Sequence, residues 1–352
     1  ARGDLTYTDI AKSSLTDGTL ISEEGKAKIT AHGVFRLKKL SAKDSATVEA
    51  DHDVTLTEAE AGTLAVSSGG SVNAGTLTAT TGDVKVKAKT NVTIGTLTAE
   101  TGGATIEATD GALDVTTLNA KSLTAKAGTT LSAKTLDVKE HAKLSSGGDM
   151  VLTEAHANTL TANAGGKLTA PTLGVTGAAG LTSGGAMEVT DANVGSVAAK
   201  AGTTLHVKKL TSTGEATLTS KDEATLDDVT AGTLAAESTA GSVNAGTLTA
   251  TTGDAEVKAK TDATIGTLKA EAGGATIEAT EGKLDVTTLD VKKHAALTSD
   301  GAMEMTDANV GSVAAKAGST LHVKKLTSTG EATLTSKDEA KLDDVTAGTL
   351  AA

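Results

Sequence analysis

The sequence has 352 residues, a formal net charge of −12, no cysteine, one proline and two aromatic residues, Tyr7 and Phe35. The lack of cysteine excludes a disulfide scaffold and any thiolate metal or redox site, and the acidic balance disfavours nonspecific nucleic-acid binding, which needs a basic surface. A large globular core is also disfavoured, because aromatic side chains dominate burial in most cores, whereas a thin core of Val, Leu, Ile, Ala and Thr needs none.

Residues 1–35 are the least regular part and hold both aromatics. They open with Arg2-Gly3-Asp4, an integrin-type tripeptide at the extreme terminus, and Leu20 already stands in the Gly-Thr-Leu context that recurs later. From Leu40 onward the beat is steady. Leu77, Leu97, Leu118 and Leu136 take one comparable position per unit, and Leu248, Leu268, Leu289, Leu326 and Val345 continue it. From Leu97 to Val345 there are 13 steps over 248 residues, about 19 per step, and extension back to Leu20 gives about 18 units. The segment Gly70 to Asn119 returns as Gly241 to Asp290 with 41 of 50 positions identical, an offset of 171. Thr182 to Ala236 returns as Thr298 to Ala352 with four changes in 55, an offset of 116. Both offsets are close to whole multiples of 19, as a tandem array of short units requires.

Within a unit the pattern has a period of two. Val84, Val86 and Ala88 alternate with Lys85, Lys87 and Lys89, which places the two sets on opposite faces of a strand. In the later copy the inward set becomes Ala255, Val257 and Ala259, and a charge reversal, Lys85 against Glu256, is confined to the outward set. Turn signals separate the strands: paired glycines such as Gly69-Gly70, Gly102-Gly103 and Gly165-Gly166, and Asp-Gly at Asp17-Gly18, Asp110-Gly111 and Asp300-Gly301. Glycine reaches positive φ without a Cβ clash, so tight corners are expected there. Three strands of about four residues plus short turns fill a 19-residue coil, with a two-sheet coil as the alternative. Coils stacked at about 4.8 Å give an all-β fold, a single parallel β-helix of about 18 coils. The expected organisation is one domain, with less regular coils over 1–35 and a continuous array over 36–352. Neither end carries an evident polar cap, so the chain reads as a piece of something longer.

The Ser71–Gly82 beat SVNAGTLTATTG, the period near 19 and the paired-glycine corners resemble the repeat region of the filamentous haemagglutinins. These are large exoproteins of bacterial two-partner secretion, related to the stalks of contact-dependent inhibition toxins. The resemblance covers roughly Leu20 to Ala352. It implies secretion through a dedicated outer-membrane β-barrel partner, folding outside the cell, a place at the bacterial surface and attachment to host-cell glycans or receptors. The family's N-terminal secretion domain is not recognisable in the sequence.

Clustered cations on an exposed face would meet sulfated glycans, so Lys85, Lys87 and Lys89, and the pairs Lys208-Lys209 and Lys324-Lys325, are the candidate glycan-binding residues. The bland reading is that outward charges keep the array soluble. Arg2, Gly3 and Asp4 are the candidate integrin-type motif. His206 and His322 occupy the same place in two copies, but no spacing suggests a metal site. Asp227-Asp228 and Asp343-Asp344 are adjacent strand residues, expected on opposite faces and therefore unable to act together as acid and base. Catalytic sites are unique whereas nearly every feature here is duplicated, so the chain is not expected to be an enzyme and no cofactor is expected. The expected role is a monomeric adhesive rod, without nucleic-acid binding or membrane insertion. A passive stalk is the alternative, and a polysaccharide-processing enzyme on the same fold the more distant one.

Overall fold

A computed structural model describes residues 1–9 and 18–352; Asp17 of the expected Asp17-Gly18 turn lies outside the described residues. All regular structure among the described residues is β-strand, their strands pair in parallel, and the fold is a β-solenoid of about 18 turns. The chain divides into two compact units, Ala1–Thr176 and Gly177–Ala352, each built on the same plan.

One coil of the first unit shows the plan. Val72–Ala79 has the burial pattern buried, exposed, buried, exposed, intermediate, buried, intermediate, buried. The alternation fails once, where Gly75 and Thr76 both face outward. Two successive outward residues mean that the chain has turned a corner. The backbone ladder skips that place too: Ala74 pairs with Ile94 and Thr76 with Thr96, with no pair at Gly75. Residues 72–75 form face A and 76–79 face B. Val84–Ala88, strictly alternating, forms face C. The coil therefore has three faces. Val243–Ala250 and Ala255–Ala259 repeat the arrangement in the second unit.

Register holds the faces in vertical columns. Val72 sits under Val92, Val92 under Leu113, Leu113 under Leu131 and Leu131 under Met150, steps of 20, 21, 18 and 19 residues. The varying length is absorbed between faces, as at the register shifts between Ala99 and Gly103 and between Val138 and His141. The leucine beat becomes one such column: Leu77, Leu97, Leu118 and Leu136 in one unit and Leu248, Leu268 and Leu289 in the other are at most 2% exposed. The single phenylalanine, Phe35, is also buried, beneath Val54.

The glycines do a different job from the expected one. Gly69, Gly102, Gly147 and Gly165 do not adopt left-handed backbone. A Cβ on Gly165 would fall inside contact distance of the Gly147 carbonyl oxygen, and one on Gly147 would meet that of Gly128. Turns stack as closely as strands, and glycine is the residue that permits the approach.

Buried serines complete the turns. The Ser68 hydroxyl donates to the His52 carbonyl at 2.6 Å and accepts from the Gly70 N–H at 3.1 Å. Ser146, Ser183 and Ser299 each donate to the carbonyl two residues on, at 2.9 to 3.0 Å. Ser220 is fully buried, and its hydroxyl has no partner among the described residues.

Ser68→Ala strands two backbone groups and lowers unfolding free energy by about 1–3 kcal/mol, whereas Ser220→Ala is neutral or stabilising; urea titration followed by circular dichroism separates them. Leu268→Ala costs about 2–5 kcal/mol through the cavity it leaves, while outward Lys269→Ala stays within about 0.5 kcal/mol. Hydrogen exchange should place the Leu268 loss in the coils above and below it, and equal protection in both variants would refute the inward assignment.

Candidate functional site

Face C of the first unit carries the main lysine cluster. Lys85 and Lys87 project outward from Val84–Ala88 on either side of buried Val86, and Lys89 lies just beyond the strand end. Parallel register sets Lys87 against Glu107 one coil on, and their charged groups are 3.3 Å apart. Lys85 and Lys89 have no ion pair among the described residues. One coil earlier the outward residues are short, Ala65 and Ser67, which leaves a shallow hollow rimmed by Thr47, Glu49, Lys85 and Lys87. The backs of Val48, Val66 and Val86 form its floor.

The second unit has the corresponding hollow over Ala235, but its rim differs. Lys85 is replaced by Glu256, which contacts Lys258 directly, and Lys260 contacts Glu281. The Glu256 hydrogen bond, with its charge, raises the Lys258 ammonium above its ordinary pKa. The same face is thus cationic in one unit and internally neutralised in the other.

The two lysine pairs occupy the corner between faces A and B, not a flat strand. Lys324 contacts Glu304, and Lys325 is 3.1 Å from Asp307; both acids stand one coil earlier. Lys209 is in register with Asp191 on one side and Asp228 on the other. Lys208 and Lys209 have no ion pair among the described residues. The aspartate pairs share this corner, which corrects the expectation that adjacent residues face opposite sides. In Ala224–Ala231 both Asp227 and Asp228 are exposed, because the alternation breaks between them.

His206 and His322 bridge coils at the same corner. His206 Nε2 is 3.4 Å from Asp227 Oδ2, and His322 Nε2 is 3.0 Å from Asp343 Oδ2. The His322 hydrogen bond, assisted by Lys341, holds the Asp343 carboxyl below the usual carboxylate range, and the Lys324 hydrogen bond does the same for Glu304. Among the described residues no group of three or more histidine and carboxylate side chains is placed to hold a metal.

The Arg2-Gly3-Asp4 tripeptide is stacked on the following coil. Gly3 accepts a hydrogen bond from Ser22 Oγ at 2.8 Å, and Asp4 Oδ1 accepts one from the Lys26 N–H at 2.8 Å. One carboxylate oxygen of the motif therefore serves the fold.

Asp4 belongs to a set that sequence reasoning missed. Asp53, Asp83, Asn91, Asp149, Asp254 and Asp262 each stand immediately before an inward residue, and each Oδ1 accepts a backbone N–H from the next coil at 2.7 to 2.9 Å. At Asp53, Asn91, Asp149 and Asp262 a glycine, respectively Gly70, Gly111, Gly166 and Gly282, makes room for the capping oxygen. The readable signal was an Asp or Asn before the first inward residue, with a glycine about one coil later.

No family model, curated protein or solved structure matches the chain.

The shifted groups predict a plateau of stability with two limbs. Glu304 and Asp343 are held below their ordinary values, so their contribution is present above about pH 4–4.5 and is lost as pH falls through the folded-state values. Lys258 and Lys283, the latter raised mainly by its Asp285 hydrogen bond, contribute below about pH 10.5 and lose it as pH rises through theirs. All these pairs are solvent-exposed, so both limbs are shallow. In a thermal-melt series against pH, Asp343→Asn should flatten the acid limb and leave the alkaline limb unchanged.

Proposed function

We propose that this chain is a stretch of the repeat-built rod of a secreted bacterial adhesin of the filamentous-haemagglutinin kind. In this reading it stands at the bacterial surface, its parent is exported through an outer-membrane β-barrel partner, and it attaches to host-cell glycans. Its work is presentation rather than catalysis: the solenoid fixes the backbone and leaves the outward columns free to meet a partner. The observation that carries the reading is the face-C cluster of the first unit, where Lys85 and Lys89 stand beside Lys87 without carboxylate partners. Sulfate or carboxylate groups of a glycan would supply the missing counter-charges. The hollow over Ala65 and Ser67 gives a sugar ring room to approach Lys85. The Arg2-Gly3-Asp4 motif remains a secondary receptor candidate through the Asp4 oxygen that the cap does not use.

A passive stalk is the second reading. It is favoured by the corner lysines, since Lys324 and Lys325 are already paired with acids of the preceding coil. Such charges serve the stack and need no external partner.

Retention on immobilised heparin, run as a salt titration, distinguishes the two. Retention that weakens with salt and is lost in the triple variant Lys85→Gln, Lys87→Gln, Lys89→Gln supports the adhesive surface. Lys258→Gln with Lys260→Gln, which alters the neutralised counterpart face, should leave retention unchanged. No retention at low salt would favour the stalk.

A further inference from the structure

We propose that Asn91 is an attachment site for an N-linked sugar. Among the described residues seven side chains cap the next coil in this way, six of them aspartate and this one asparagine. The cap uses Oδ1 alone: Asn91 Oδ1 accepts the Ala112 N–H at 2.9 Å, and its counterpart Asp262 accepts the Lys283 N–H at the same 2.9 Å. The fold therefore makes no demand on the amide nitrogen. Among the described residues Asn91 Nδ2 has no hydrogen-bond partner, whereas the amide nitrogens of Asn244 and Asn309 donate to Glu223 and Asp290.

Sequence context singles out the same residue. Of the eight asparagines, only Asn91 is followed two positions later by a hydroxyl residue, in Asn91-Val92-Thr93. This is the acceptor pattern for N-glycosylation. Asn91 and Thr93 are both exposed, on either side of fully buried Val92. The exposed turn is open to a transferase. Beyond Thr93 the outward position of face A is Gly95 and, one coil earlier, Gly75, while Asn73 and Asp114 flank Thr93 in the coils before and after.

The chemistry is a glycosyl transfer from a nucleoside-diphosphate sugar, catalysed by a separate transferase. Asn91 Nδ2 forms the new bond to the anomeric carbon, and the anomeric carbon–oxygen bond to phosphate breaks. The nucleoside diphosphate departs with the bonding electron pair, and the amide nitrogen loses one proton to a base of the transferase. Oδ1 remains available to cap Ala112, so the coil stack is retained.

The test is peptide mass spectrometry of the protein isolated from the cells that naturally produce it. The expected result is a population of the Asn91 peptide carrying a sugar mass assigned to that residue by fragmentation, with the Asp262 peptide unmodified. Thr93→Ala, expressed in the same cells, should abolish the adduct while leaving the melting temperature of the chain unchanged. A native Asn91 peptide found only as the free amide, or only as aspartate, overturns the proposal, as does an adduct that persists in Thr93→Ala.

Discussion

The structure depends on one constraint: each coil must lie on the last at the spacing of hydrogen-bonded strands, about 4.8 Å. Within each unit this applies to turns as strictly as to strands. It explains why glycine recurs where the backbone is not left-handed, since a Cβ on Gly165 would enter the Gly147 carbonyl. It also explains where length is allowed to vary. Steps of 18 to 21 residues share one ladder because the extra residues collect between faces, leaving the inward columns in register.

Stacking at that distance creates a second demand. Backbone groups at the turns fall outside the regular ladder and must still find partners. Two side-chain devices meet it. Exposed Asp and Asn residues cap N–H groups of the following coil, and buried serines satisfy carbonyls of the turns. The outward charges obey the same geometry. Lys87 with Glu107 and Lys325 with Asp307 are separated by one coil, so each pair ties neighbouring rungs together. Such pairs are individually weak at an exposed surface, but they decide which cations are left to act on anything else.

The parts legible in the sequence are those that depend on local period. Alternation in 84–88 and the leucine beat identified the inward residues because burial on a strand repeats every second position. Corners were less legible, since two successive outward residues resemble any other polar pair. Simple alternation therefore puts Asp227 and Asp228 on opposite faces, although both are outward. The caps and ion pairs were less legible still, because their partners lie about one coil away. Lys324 looks like half of a basic pair until its partner Glu304, one coil earlier, is known. A tandem array makes that distance readable in principle: once the period is fixed, the residue one step before or after is the physical neighbour.

The two copies of the 50-residue block show what this leaves for function. Their inward differences, Val84 against Ala255 and Val92 against Ala263, exchange one apolar residue for another, and all four remain buried. Several of their outward differences change charge, as from Lys85 to Glu256 and from Ala112 to Lys283. An outward residue here carries little of the folding free energy, so the scaffold accepts lysine, glutamate or a covalent sugar at its surface. Specificity can then be written in single positions without disturbing the stack. What distinguishes such a position is whether a neighbouring side chain answers it. Glu256 is answered by Lys258, whereas Lys85 and the amide nitrogen of Asn91 are not, and both lie in the same coil of the first unit.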